Sequence, residues 1–234
     1  MDNKLRSTIQ ELLVSLYLRL NGYLTSGFIL HSQHNSIEGE IDLVAVRFPY
    51  HRQPETEHNS SPYLEVPDNI DVVIAEVKSK GESLQFNKSL RERPQIVRLL
   101  NWLGLFTDDC IDKASDELVQ LIVPKPNSSV KTFLSTSINT NFGRVTIRPI
   151  IFSPERIHVN NANKFIHWTE LNDFIWHCLC PPENRVSCGT RYDFNAWGAG
   201  LNDVVRIYKA RQKEKNKPEK IDDIYSAFPD NLKA

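Results

Sequence analysis

Charged residues placed inside apolar strand-like segments are the first chemical signal in this sequence. Asp42 stands in Glu40-Ile41-Asp42-Leu43-Val44, and Glu76 and Lys78 stand in Ile74-Ala75-Glu76-Val77-Lys78. Alternate residues of a strand share a face, so Glu40 goes with Asp42 and Glu76 with Lys78, while Val77 faces the opposite layer. Acids among Ile, Leu and Val are costly to bury unless they are paired or bind a metal. Hard carboxylate oxygens suit Mg²⁺ or Mn²⁺, which take one or two carboxylates and keep waters and phosphate oxygens. A metal so held polarises phosphate and acidifies bound water, and a neighbouring lysine orients that water or stabilises developing negative charge. The chemistry this set would perform is phosphodiester hydrolysis. The plain alternative is an ion pair on a solvated strand face, worth ~0–1 kcal/mol.

The elements that must position these residues follow from hydrophobic period. Leu5, Ile9, Leu12, Leu13, Leu16 and Leu20 have helical spacing, and Asn21-Gly22 marks a stop, which predicts a helix over 4–20. Strands are expected over 28–32, 40–48 and 71–78. The Pro-rich polar stretch 49–69 reads as a surface loop inserted between two strands. A helix is expected over about 90–106, with Pro94 in its first turn, and a strand over 117–123 closed by Pro124-Lys125-Pro126. Further on, 128–138 reads as a helix, 144–152 as a strand, and 171–180 and 200–213 as helices. The expected fold is α/β (α+β), a mixed sheet flanked by helices in the order αβββαβ with C-terminal additions. The expected organisation is one domain over 1–210, with a core over 1–123 and an elaboration over 124–210, followed by a basic tail over 211–234.

Composition narrows the function classes. The 234 residues carry 28 Lys+Arg against 29 Asp+Glu, are 40% hydrophobic and 24% charged, and so are neither disordered nor collagen-like nor a coiled coil. No run of about 18 apolar residues occurs, and the start lacks the regions of a signal peptide. Four unevenly spaced Cys make no disulfide framework, so a cytoplasmic protein with no membrane partner is expected. A net charge of -1 argues against coating nucleic acid by bulk positive charge, but not against basic contacts around an acidic centre.

These pieces resemble the PD-(D/E)XK, or restriction-endonuclease-like, nuclease superfamily, whose core runs helix, three strands, helix, strand. The resemblance covers roughly the first half of the chain. It puts the family's initial Asp on Asp42, its second acid on Glu76 and its lysine on Lys78, and it implies a metal-dependent nuclease acting on DNA in preference to RNA. Asp42, Glu76 and the Val77 carbonyl would hold Mg²⁺ (or Mn²⁺), and Lys78 would assist the water. Glu11, on the first helix, stands where many members place a further acid. Pro is absent before Asp42, as in many members, and the 49–69 insertion lengthens the acid-to-acid spacing. Cutting two strands favours a homodimer.

Lesser signals surround this set. Glu40 would support Asp42 or stand in for it, and Lys80, Gln95 and His31 are candidate substrate contacts, each with solvated surface or a strand end as the bland reading. His177, Cys178, Cys180 and Cys188 invite a zinc reading, but Cys-x-Cys is not the usual loop spacing and a buried Cys is a common small hydrophobe. Arg206, Lys209, Arg211, Lys213, Lys215, Lys217 and Lys220 could supply phosphate contacts without reading sequence, or form a solvated helix face. Residues 221–228 are amphipathic and suited to dock back or to meet a partner. Two other classes compete with the enzyme: a catalytically silent DNA-binding module that keeps the nuclease fold, and an α/β protein-interaction domain whose strand charges are surface ion pairs.

Overall fold

The computed structural model describes residues 1–31, 37–51, 61–64, 68–123, 134–157, 165–182 and 194–228. The chain runs α1 (Asn3–Leu20), β1 (Leu24–His31), β2 (Ile37–Arg47), β3 (Ile70–Val77), α2 (Arg93–Leu103), α3 (Asp108–Ile122), β4 (Thr136–Thr140), β5 (Gly143–Ser153), β6 (Ile166–His167), α4 (Trp168–Leu179), α5 (Phe194–Trp197), α6 (Ala199–Lys213) and α7 (Ile221–Ala227). Short 3-10 turns occupy Pro62–Leu64 and Ser89–Arg91. The sheet is mixed and six-stranded, in the order β1-β2-β3-β5-β4, with the short β6 beside β5. β1, β2 and β3 form an antiparallel meander, β5 lies parallel to β3, and β4 closes the far edge antiparallel to β5.

Two apolar layers sandwich this sheet. On one side Ile9, Leu13, Leu16 and Tyr17 of α1 pack with Leu43, Ala45, Val73, Ala75, Ile150 and Phe152, and with α4, α6 and α7. On the other, Val44, Val72, Ile74, Val145 and Ile147 pack against Ile96, Leu99 and Leu100 of α2 and Ile111, Ala114 and Leu118 of α3. The strand alternation expected for β3 is therefore what separates the two layers. At α1, Asp2 caps the N-terminus by accepting from the Lys4 N–H at 3.2 Å. At its other end Gly22 takes φ +88°, and a Cβ there would also strike the His51 ring.

Several expectations are corrected. Residues 117–123 are not the fourth strand but the last turns of α3, whose buried Ile111, Ala114, Leu118 and Ile122 follow the helical period. The strand beside β3 is β5, so the element order is αβββααββ. The helix expected over 90–106 is a 3-10 turn followed by α2, which Gly104 ends at φ +66°. Of the helix expected over 128–138, 128–133 lie outside the described residues and Thr136 to Ile138 belong to β4. The inserted loop is not all surface: Ser61 and Leu64 are buried, with 52–60 and 65–67 outside the described residues. β1 begins four residues earlier than expected, at Leu24. The C-terminal segment docks back, with Ile221, Ile224, Tyr225 and Phe228 in the same layer as α1. Among the described residues no helix is long and apolar enough to cross a membrane.

Candidate active site

The β2–β3 ladder runs from Arg47–Asp71 to Leu43–Ala75. Asp42 and Glu76 are the next opposed positions, and there the backbone ladder stops. The Val77 N–H, which a further rung would have used, donates instead to Asp42 Oδ2 at 2.6 Å. A bulge in β2 lies at the parting. Ser26 pairs with Val44 but Phe28 pairs with Ile41, so Asp42 and Leu43 together face Gly27. The extra residue shifts the alternation: Ile41 and Val44 lie in the same layer, and Leu43 in the other.

Ala75 and partly buried Val77 pack in the α1 layer, whereas Glu76 and Lys78 meet Asn87 from the segment before α2. Lys78 Nζ donates to Glu76 Oε1 at 2.6 Å and to Asn87 Oδ1 at 2.8 Å. Its backbone is held as firmly: the Lys78 N–H donates to the Phe152 carbonyl at 2.8 Å, and its carbonyl accepts from Ser153 Oγ at 2.6 Å. β5 thus anchors the end of β3 on which the lysine sits. Both partners of the ion pair are buried, Glu76 with no exposure at all.

Electrostatics link the acids. Burial, then the Asp42 charge, pushes the Glu76 carboxyl up to about 7, against the opposing pull of Lys78. Burial also raises Asp42, where the Val77 N–H and Lys78 oppose it and the Glu40 and Glu82 charges add to it. Glu11 is raised by burial and then by Asp42, with Ser7 Oγ donating to its Oε1 at 3.1 Å and Glu40 adding to the upward push. Asp42, Glu76, Lys78, Glu11 and Glu40 are therefore brought into one another's field.

The other candidates fall differently. Lys80 is exposed in the turn after β3, and its N–H donates to Glu155 Oε2 at 2.9 Å. Gln95 is buried in the first turn of α2 and accepts from Arg98 at 3.2 Å. His31 closes β1, and its side chain lies outside the described residues. Cys178 and Cys180 are buried in the α1 layer, and Cys180 Sγ donates to the Tyr208 carbonyl at 3.5 Å. Burial pushes the Cys180 thiol up to about 11, away from the thiolate that zinc needs; Cys188 is outside the described residues. Part of the basic C-terminal set serves the fold: Lys209 donates to the Leu179 carbonyl, Arg211 to the Asp223 carbonyl at 3.1 Å, and Lys217 pairs with Asp173 at 2.6 Å.

Sequence reasoning missed Asn87, Glu82, Glu155 and Arg156. Glu82 accepts from the Ser79 N–H at 2.6 Å and so shapes the turn after Lys78. Its only sequence signal was the run Ser79-Lys80-Gly81-Glu82-Ser83, which is a turn by composition. Asn87 and Glu155 reach the site through tertiary packing, and no local pattern marks them.

Among the described residues no group of three His, Cys, Asp or Glu stands ready to cage a metal. A Mg²⁺ site of two carboxylates and a carbonyl needs no such trio. The fit of a cation here rests on another observation. Glu76 Oε2 is buried without a hydrogen-bond partner, in the field of a second raised carboxyl. An orphaned carboxylate oxygen beside like charge is what a divalent cation satisfies. No family model, no curated protein and no solved structure matches the chain.

Proposed function

We propose that this protein is a Mg²⁺- or Mn²⁺-dependent nuclease of the restriction-endonuclease-like type, acting on DNA. The observation that carries this reading is the meeting of Asp42, Glu76 and Lys78 where β2 and β3 part, with Glu76 Oε2 buried and unpartnered. The antiparallel meander β1–β3, led by α1 and followed by β5 parallel to β3, supports the same reading at the level of fold.

Asp42 and Glu76, with the Val77 carbonyl, are the groups that would hold the cation; Glu11 lies in the field of Asp42 without joining them as a third carboxylate ligand. Bound there, the cation would polarise the scissile phosphate and acidify the attacking water. Lys78, fixed by Glu76 and Asn87, presents an ammonium to the developing negative charge and orients the water. Asp42 also holds the strand end in place through the Val77 N–H.

The test is cleavage of supercoiled plasmid and of branched DNA with Mg²⁺ or Mn²⁺ by the wild type, Asp42→Ala and Lys78→Ala. The wild type should cut and both variants should lose about 100-fold or more of that activity. Equal inertness of all three across DNA and RNA substrates would overturn the reading.

A further inference from the structure

The turn that follows Lys78 is held by more charged groups than an exposed turn needs. The Lys80 N–H donates to Glu155 Oε2 at 2.9 Å, and Arg156 Nη2 donates to the Lys80 carbonyl at 2.9 Å and to the Glu82 carbonyl at 2.6 Å. Lys80 is thus gripped at both its N–H and its carbonyl by two consecutive residues just past β5. Glu155 is itself braced: its other oxygen, Oε1, accepts from the Tyr225 hydroxyl at 2.9 Å, and Arg6 of α1 lies 3.9 Å from the same oxygen. The Arg6 guanidinium also stacks 5.2 Å over the Tyr225 ring, while Arg156 lies 5.9 Å from the centre of the Phe165 ring. From below, Gln10 Nε2 donates to Ser79 Oγ at 3.1 Å.

Charge-assisted bonds to backbone are the stronger kind, and here they fix the main chain of residues whose own side chains are not core. What they hold is an exposed ammonium. The Lys80 side chain enters none of the hydrogen bonds or ion pairs of the described residues. The turn borders the strand opening, since the Glu82 charge acts on Asp42. A lysine on a fixed main chain loses less freedom on meeting an anion than one on a mobile loop.

We propose that Glu155 and Arg156 are positioning residues that clamp the Lys80 backbone beside the strand opening, with Tyr225 of the C-terminal helix bracing Glu155, so that the Lys80 ammonium contacts a backbone phosphate of duplex DNA. The proposal rests on the nuclease reading for its substrate class but not on turnover. It also gives the docked C-terminal helix a task beyond packing, because Tyr225 reaches the substrate only through Glu155 and Lys80.

The experiment measures fluorescence polarisation of a fluorescein-labelled duplex DNA against wild type, Lys80→Gln, Glu155→Ala, the double variant, Tyr225→Phe and Lys80→Arg, with Ca²⁺ in place of Mg²⁺. Affinity should fall roughly tenfold in Lys80→Gln, and the slope of log affinity against log salt should fall by about one. Glu155→Ala should weaken binding several-fold, and the double variant should bind no more weakly than Lys80→Gln alone, because without the ammonium the clamp has nothing to position. Tyr225→Phe should act in the same direction to a smaller extent, and Lys80→Arg should restore affinity. If Glu155→Ala does not fold, Tyr225→Phe combined with Lys80→Gln carries the same cycle. Additive losses, or wild-type affinity in both Glu155→Ala and Tyr225→Phe, overturn the clamp.

Cleavage with Mg²⁺ on the same duplex separates this inference from the nuclease reading. Coupled binding without cleavage leaves the clamp standing and removes the nuclease. Cleavage with binding that is indifferent to Lys80 does the reverse, and a wild type that neither binds nor cuts removes both.

Discussion

Without a cation, the strand-end acids should make the fold less stable as pH rises. Glu76 ionises near its ordinary 4.5 in the unfolded chain but at about 7 in the fold, because burial and the Asp42 charge oppose its ionised form. Between those values the native state holds a proton that the unfolded state has released, so stability falls with rising pH and the loss is complete above about 7. At ~1.4 kcal/mol per pH unit the ionised form costs the fold about 3 kcal/mol. Most of that falls between about pH 5 and about pH 8. Asp42, Glu11 and Glu170, each raised chiefly by burial, add slope of the same sign. His51, lowered by burial and by Arg47, contributes the opposite slope below its ordinary 6.5. The comparison is therefore urea unfolding of wild type and Glu76→Gln in EDTA across this range. Gln keeps an acceptor for Lys78 Nζ, so the variant's constant offset carries the lost counter-charge while the difference in slope isolates Glu76. The wild type should lose about 2–3 kcal/mol relative to the variant as pH rises, and saturating Mg²⁺ should recover most of it. Parallel wild-type and variant curves, or a difference that grows the other way, would refute the reasoning.

Two further substitutions test the packing that positions the site. A Cβ on Gly39 would stand 2.6 Å from Ser89 Oγ and 2.9 Å from Ser89 Cβ, so Gly39→Ala should force β2 from the 3-10 turn and cost about 1–3 kcal/mol in urea unfolding. At the opposite end of the sheet the Tyr23 hydroxyl donates to Asp71 Oδ2 at 2.5 Å while Arg148 holds Oδ1 at 2.7 Å. Tyr23→Phe should leave that fully buried carboxylate short of a donor and cost about 1–3 kcal/mol, read as a lowered thermal midpoint with cleavage per folded molecule unchanged.

Strong local periods made part of this fold legible in sequence. The five leucines and one isoleucine at helical spacing in α1, the β-branched run of β3 and the helical spacing in α4 and α6 each predicted an element of the right type. The failures came where one short window fits two periods. Glu117 to Val123 is apolar enough for a strand, yet Leu118 and Ile122 complete a helical face begun eleven residues upstream of Ile122, at Ile111. At the site, alternation in β3 correctly put Glu76 and Lys78 together. No periodic rule could supply the bulge opposite Gly27, which turns Asp42 toward the Val77 N–H, because it depends on how β1 and β2 pair. Asn87, Glu82, Glu155 and Arg156 were unreadable for the same reason: their roles are tertiary contacts made by ordinary surface residue types.

The central claim is that Asp42 and Glu76 together hold a divalent cation at the strand opening. Mn²⁺ binding followed by electron paramagnetic resonance, comparing wild type with Asp42→Asn and Glu76→Gln, tests it without depending on turnover. The account predicts loss of the free Mn²⁺ signal on titration with wild type, with affinity falling about tenfold or more in each variant. Wild-type protein that leaves the free signal intact at millimolar Mn²⁺, or variants that bind as tightly as wild type, would contradict it.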